Sequence, residues 1–236
     1  MTYNRYHFIL ALAPLLGNPL SASAQTRGQF GFDFSVAIPQ GAFAQNVNQP
    51  GFGGNFHAGI QLKNSPFLVG IDAGIQVYGY ESRWVPLSNT IPDITARVET
   101  TNNIAQFHGL LRLQAPEGSV RPYIDGLYGF KYLYTRTSLQ DDLFDEEVLG
   151  STNFDDFALS YGFGAGIDIR LYDGPMGEDE RQGSVYLSLG ARYLLGGEAE
   201  FLREGDIERL PGAIRFTTTR SRVDLFQPRI GVTLAF

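Results

Sequence analysis

The sequence predicts an all-β fold, an eight-stranded antiparallel up-and-down barrel that spans a membrane, on three observations. Eight segments alternate large apolar with small or polar residues at a period of two, the signature of strands with two unlike faces. The connections between them alternate short and long. Every full charge in the middle of a segment lies on the small and polar face. Composition agrees: 28 Gly, 18 Phe and 12 Tyr in 236 residues suit tight packing and many turns.

The first segment, Gly28 to Ile38, sets Phe30, Phe32, Phe34, Val36 and Ile38 against Gly31, Asp33, Ser35 and Ala37. The second, Gly54 to Lys63, opposes Phe56, Ala58, Ile60 and Leu62 to Asn55, His57, Gly59 and Gln61. In the third, Phe67 to Tyr80, Val69, Ile71, Ala73, Ile75 and Val77 oppose Gly70, Asp72, Gly74, Gln76 and Tyr78. The fourth, Asn103 to Gln114, is less regular, because Leu110 falls on the face of Gln106, His108 and Arg112. The fifth, Arg121 to Thr137, carries Asp125, Gly129, Lys131 and Thr135 on its polar face. The sixth, Phe157 to Leu171, is the cleanest, with Ser160, Gly162, Gly164, Gly166, Asp168 and Arg170 opposite seven apolar residues. The seventh is Ser184 to Leu195, with Arg192 on the polar side, and the eighth ends at Phe236 with a start as early as Phe216.

Links 64–66, 115–120 and 172–183 are short, whereas 39–53, 81–102, 138–156 and 196–215 are long. Short turns at one end and long loops at the other match a membrane barrel with short periplasmic turns and long extracellular loops, and an even strand count returns both termini to the periplasmic side.

Which face meets lipid follows from energy. Asp33, Asp72, Arg112, Asp125, Lys131, Asp168, Arg170, Arg192 and Arg229 share the small face. Each Arg or Lys turned toward hydrocarbon would cost about 2–4 kcal/mol near the midplane, and Asp somewhat less. The nine charges therefore face inward, as a lumenal ion-pair network, and Asp33 or Asp72 is expected to contact a lumenal Arg. A secreted barrel with its apolar face inward would reverse this arrangement. Aromatics at strand ends, Phe67, Tyr123, Tyr172 and Phe236 at one interface and Tyr80, Trp84, Tyr134, Phe157 and Tyr193 at the other, suit two girdles.

Residues 1–24 read as a secretory signal peptide: Arg5, an apolar stretch from Phe8 to Leu16, and Ala22-Ser23-Ala24 before the cleavage point. Residues 25–236 then form a single barrel domain. The formal net charge of -7 disfavours nucleic acid as a partner. With no cysteine, disulfides, thiol nucleophiles and thiolate metal sites are excluded.

At the other end, Ile230, Val232, Leu234 and Phe236 point one way and Arg229, Gly231, Thr233 and Ala235 the other. This ending resembles the C-terminal signature of bacterial outer-membrane β-barrels. Together with Arg121-Pro122-Tyr123, Tyr161-Gly162-Phe163-Gly164-Ala165-Gly166 and Gly190-Ala191-Arg192-Tyr193, it makes the chain similar to eight-stranded barrels of the OmpA and OmpX type, with a porin-like barrel domain. The resemblance implies that Ile230, Val232, Leu234 and Phe236 are an assembly signal read by the barrel-assembly machinery. It also implies residence in the outer membrane, among lipid and lipopolysaccharide.

Catalysis would need a base beside a nucleophile and an orienting group. The barrel domain offers only His57 and His108, and neither a G-x-S-x-G nor an H-E-x-x-H pattern is present. The expectation is a non-enzymatic, monomeric protein without cofactor or metal, serving envelope integrity or binding a surface partner through its loops. The alternative is a narrow channel for small or apolar solutes. The acidic stretch 138–156, with Asp141, Asp142, Asp145, Glu146, Glu147, Asp155 and Asp156, reads as a solvated loop rather than a calcium site.

Overall fold

The computed structural model describes residues 27–63, 65–86, 95–140, 147–176, 181–203, 206–210 and 213–236. The expected signal peptide, 1–24, lies outside them. Eight strands form the wall: β1 (Arg27–Gln40), β2 (Gly51–Gln61), β3 (Phe67–Pro86), β4 (Thr95–Gln114), β5 (Val120–Gln140), β6 (Glu147–Met176), β7 (Arg181–Gly196) and β12 (Asp224–Ala235). They close in the order β1-β12-β7-β6-β5-β4-β3-β2, every neighbour antiparallel. Closure leaves no unpaired edge in the wall, which is the condition for exposing a sheet to hydrocarbon.

The barrel closes where β1 meets β12, with Phe32 opposite Val232 and Asp33 opposite Gly231. Beyond the last registered pair, Gly28 and Phe236 exchange backbone hydrogen bonds of 2.8 and 3.0 Å, and the Phe236 ring meets Phe30 edge-on at 5.9 Å. The ring lies over Gly28, where a Cβ would stand 2.8 Å from its Cε2. Ile230, Val232 and Phe236 are exposed on the outer wall.

That outer wall is apolar throughout its middle. Phe30, Phe56, Ile71, Leu111, Ile124, Phe163 and Ile230 all point outward, and exposed charges of the wall strands such as Arg136, Asp155 and Asp173 lie beyond this belt, toward the two rims. Leu110, irregular in the sequence, is buried in the lumen on the face of Arg112. Tyr123, expected in an interfacial girdle, is instead buried inside at 3% exposure, because it shares the parity of Arg121 and Asp125.

The long connections are more ordered than their composition suggests. Helix α1 (Gly41–Asn46) follows β1 directly. The β3–β4 and β5–β6 hairpins run on past the lipid-facing belt, pairing Pro86 with Thr95 and Ser138 with Gly150, so much of 81–102 and 138–156 is strand rather than loop. Residues 141–146 lie outside the described set. After β7 the chain makes four short strands, β8 (Glu198–Phe201), β9 (Ile207–Leu210), β10 (Ala213–Phe216) and β11 (Thr219–Arg222). These pair as β8 with β11 and β9 with β10. The last wall strand therefore begins at Asp224, not near Phe216.

Candidate functional site

The candidate site is the lumen, which holds two unlike layers. Toward the terminal end, alternation turns short polar and charged side chains inward from every wall strand. The buried charges among the described residues are Asp33, Asp72, Asp125 and Asp168, the guanidinium groups of Arg112, Arg121, Arg192 and Arg229, and Lys131.

Asp125 is the hub. It accepts from Arg112 through Nε (2.7 Å) and Nη2 (3.1 Å), and from Arg229 Nη2 (2.9 Å), while Arg192 Nη2 stands 3.8 Å away. The forked geometry with Arg112 is the strong, directional form of the carboxylate–guanidinium pair. Arg229 also reaches Asp33 Oδ2 (3.0 Å) and donates to the Tyr123 hydroxyl (3.0 Å). The Arg112 guanidinium stacks 4.0 Å over the Tyr123 ring, a cation–π contact in a desolvated place.

Asp72 finds its cation on the opposite wall. Arg192 of β7 crosses the lumen to within 2.7 Å of Asp72 Oδ2, four strands away in the ring. Asp72 and Arg112, on adjacent strands, pair with other partners. A third set lies nearer the terminal end: Asp168 accepts from Gln114 Nε2 and from Ser188 (2.8 Å), and Arg121 donates to Gln114 Oε1 (2.7 Å).

Both histidines lie in this layer. His57 Nε2 stands 3.3 Å from Thr233 Oγ1 and its Nδ1 3.3 Å from Asp33. His108 Nε2 stands 2.8 Å from Ser160 Oγ, and its Nδ1 4.0 Å from Asp72. Ser160, His108 and Asp72 follow the order of a hydroxyl–imidazole–carboxylate relay, but 4.0 Å is beyond hydrogen-bonding distance and Ser160 is wholly enclosed. A nucleophile without an open face has nowhere to receive a substrate. These contacts join wall strands to one another.

Two predicted network residues sit elsewhere. Arg170 is at the terminal rim, partly exposed, bonded to Asp173 (3.1 Å) and Ser119 (3.1 Å), because the β6–β7 register shifts at Arg170/Tyr172 and the lumen ends there. Lys131 is fully buried but lies in the second layer, where it donates to the carbonyls of Val223 (2.7 Å) and Leu194 (3.3 Å). Arg121 and Tyr123 were absent from the expected network, although continuing the two-residue count back from Asp125 places both inside.

The second layer, toward the loop end, is mainly apolar, with Lys131 and the Thr135–Asn102 hydrogen bond (2.7 Å) set in it. Phe43 of α1 and Phe201 of β8 fold over the mouth and meet edge-on at 5.2 Å, with Tyr78 packed against Phe43 at 5.7 Å. Beneath them Ile104, Leu127, Leu133, Leu194 and Leu225 fill the bore, all nearly inaccessible. The lid is tied to the wall: Gly197 N–H donates to Leu159 O (2.7 Å) and Glu200 N–H to Asp156 Oδ2 (2.8 Å).

The family described as outer membrane protein beta-barrel domain matches residues 8–174. Among solved structures, the chain is similar to Neisserial surface protein A, at 12% identity over 89% of this chain and 95% of that one, with a TM-score of 0.39. It is also similar to Ail, the attachment invasion locus protein of Yersinia pestis (11% identity, 89% and 97% covered, TM-score 0.37). A third is a major outer membrane protein of Thermus thermophilus (11%, 89% and 99%, TM-score 0.35). No curated protein matches the chain.

Proposed function

Because this chain belongs to the outer-membrane protein β-barrel domain family, we propose that it is a non-enzymatic barrel with a plugged lumen, serving envelope integrity or surface interaction through its loop end. The observation that supports this reading is the stacking of two different obstructions in one bore. An ion meeting the charged layer would have to displace guanidinium–carboxylate pairs such as Arg112–Asp125, and an apolar solute cannot pass that layer without desolvating it. Above it, the Phe43–Phe201 lid and its aliphatic floor exclude water and ions. In this reading both termini face the periplasm and α1 lies outside. Lipid and lipopolysaccharide meet the apolar wall, and Ile230, Val232, Leu234 and Phe236 present the assembly signal. A net charge of -7 argues against nucleic acid as the partner of the loops.

Planar-bilayer conductance of the refolded protein tests the plug. Wild type is expected to show no steady conductance above the bare bilayer, and Phe43→Ala to remain closed because the charged layer is intact. Stable single-channel steps in wild type would replace the plug with the narrow-channel alternative.

A further inference from the structure

A cavity of about 310 Å³ lies at the loop end, where one of its lining residues, Tyr78, packs against Phe43. Its size is at the lower end of the roughly 300–1,000 Å³ usual for small-molecule sites. Its described lining comes from Asn46 at the end of α1 with Asn48 and Gln49 after it, from Tyr78 and Gly79 of β3 and Asn102 of β4, and from Arg203 and Asp206.

The chemistry of this lining is specific. Its described residues supply four side-chain carboxamides and one phenol, and the two charges among them neutralise each other, Arg203 Nε standing 3.2 Å from Asp206 Oδ2. A carboxamide offers donors and an acceptor together, which matches a hydroxyl that is also both. Described lining residues that carry no net charge have little to offer a phosphate or a cation, and residues this polar have little to offer an acyl chain. Several parts are already fixed. Thr135 donates to Asn102 Oδ1 (2.7 Å), holding the amide nitrogen on the side of Gly79, where any Cβ would stand 2.8 Å from it. Asp206 Oδ2 accepts from the Arg203 N–H (2.9 Å), which holds these two lining residues together. Tyr78 is 5% exposed, and its hydroxyl has no hydrogen-bond partner among the described residues, an unusual state for a buried phenol.

We propose that this cavity binds a neutral saccharide unit of one or two rings. The proposal rests on the surface-interaction reading and names its partner's chemistry. Such a unit could come from the bacterium's own glycolipid or from a glycan outside the cell.

Saturation-transfer NMR on the full barrel in a zwitterionic, sugar-free detergent tests it. The probes are lactose, dephosphorylated lipopolysaccharide core oligosaccharide and inorganic phosphate. Transfer to either sugar supports the site; lactose alone points to an external glycan, and the core oligosaccharide to the envelope itself. The double variant Asn48→Ala/Gln49→Ala alters two exposed residues and should keep the fold while weakening the sugar at least tenfold. Arg203→Met should weaken it as well. No transfer to either sugar, transfer unchanged in the double variant, or binding of phosphate alone would each overturn the proposal. Conductance of the same preparation separates the two readings: a conducting barrel that binds sugar removes the plug and keeps the site, and a closed barrel that binds none does the reverse.

Discussion

The two layers of the lumen occupy one bore with opposite chemistry. Toward the termini, Asp33, Asp72 and Asp125 hold Arg112, Arg192 and Arg229 in a web in which Asp125 alone meets three guanidinium groups. Toward the loops, Phe43, Phe201 and the leucines beneath them pack as an ordinary core. The difference follows from what each layer must join. The charged layer ties wall strands that face one another across the bore, β3 to β7 through Asp72 and Arg192, and long guanidinium arms can span that width. The apolar layer docks α1 and β8 onto the wall, a contact between elements that approach closely enough to interdigitate.

Removing a hub from the charged layer should produce the largest effect. Asp125→Ala leaves Arg112 without its forked partner and Arg229 with one carboxylate fewer, all of them buried. Breaking a buried pair from one side costs about 3–5 kcal/mol. Urea unfolding of the barrel in lipid vesicles should show a loss in that range. A loss below about 1 kcal/mol would mean that the web is a filler like the apolar layer and no stronger as a tie.

A smaller effect is expected at the seam between β12, β1 and β2. His57 reaches over Gly31 to Thr233, and a Cβ at Gly31 would stand 2.5 Å from His57 Cε1 and 2.7 Å from Thr233 Oγ1. Gly31→Ala should therefore push the imidazole aside and cost about 1–3 kcal/mol, the range for overpacking. Vesicle unfolding beside wild type measures it, and an unchanged midpoint would show that the ring moves freely within the charged layer.

The wall was legible because each of its middle residues has lipid on one side and a crowded bore on the other, so a period of two is enforced. Past the lipid belt that constraint ends. Thr95–Asn102 and 147–156 are strand without a clean alternation in their sequence, and they read as loop. The lid was hidden for another reason. Phe43 sits in a six-residue helix with no side-chain cap, and only tertiary packing against Tyr78 and Phe201 gives it meaning. Within the charged layer, parity identified which residues point inward. It did not identify partners: strand order alone puts β3 opposite β7, but that Asp72 and Arg192 lie at one depth and meet depends on the register and on the reach of the guanidinium.

Lys131 gives the finest test of the contrast, because it is a cation set in the apolar layer. Its ammonium is fully buried and donates to the carbonyls of Val223 and Leu194, tying β5 to β7 and to the chain entering β12. Methionine fills a similar volume without the charge. Lys131→Met removes the desolvation cost of the ammonium but leaves the Val223 carbonyl without this donor, a loss of about 1–3 kcal/mol that opposes the gain. Replacing a buried ion by an apolar side chain of like size is often neutral or stabilising. The two contributions should leave stability within about 1 kcal/mol of wild type. The same change at Arg112 takes the forked partner from Asp125, leaving it Arg229 and the more distant Arg192, and should cost several kilocalories per mole. If Lys131→Met matches Arg112→Met in vesicle unfolding, the ammonium is part of the electrostatic web and the boundary between the layers lies closer to the loops. If it is neutral, the boundary falls below Lys131, and its cation acts as a backbone tie within a hydrophobic plug.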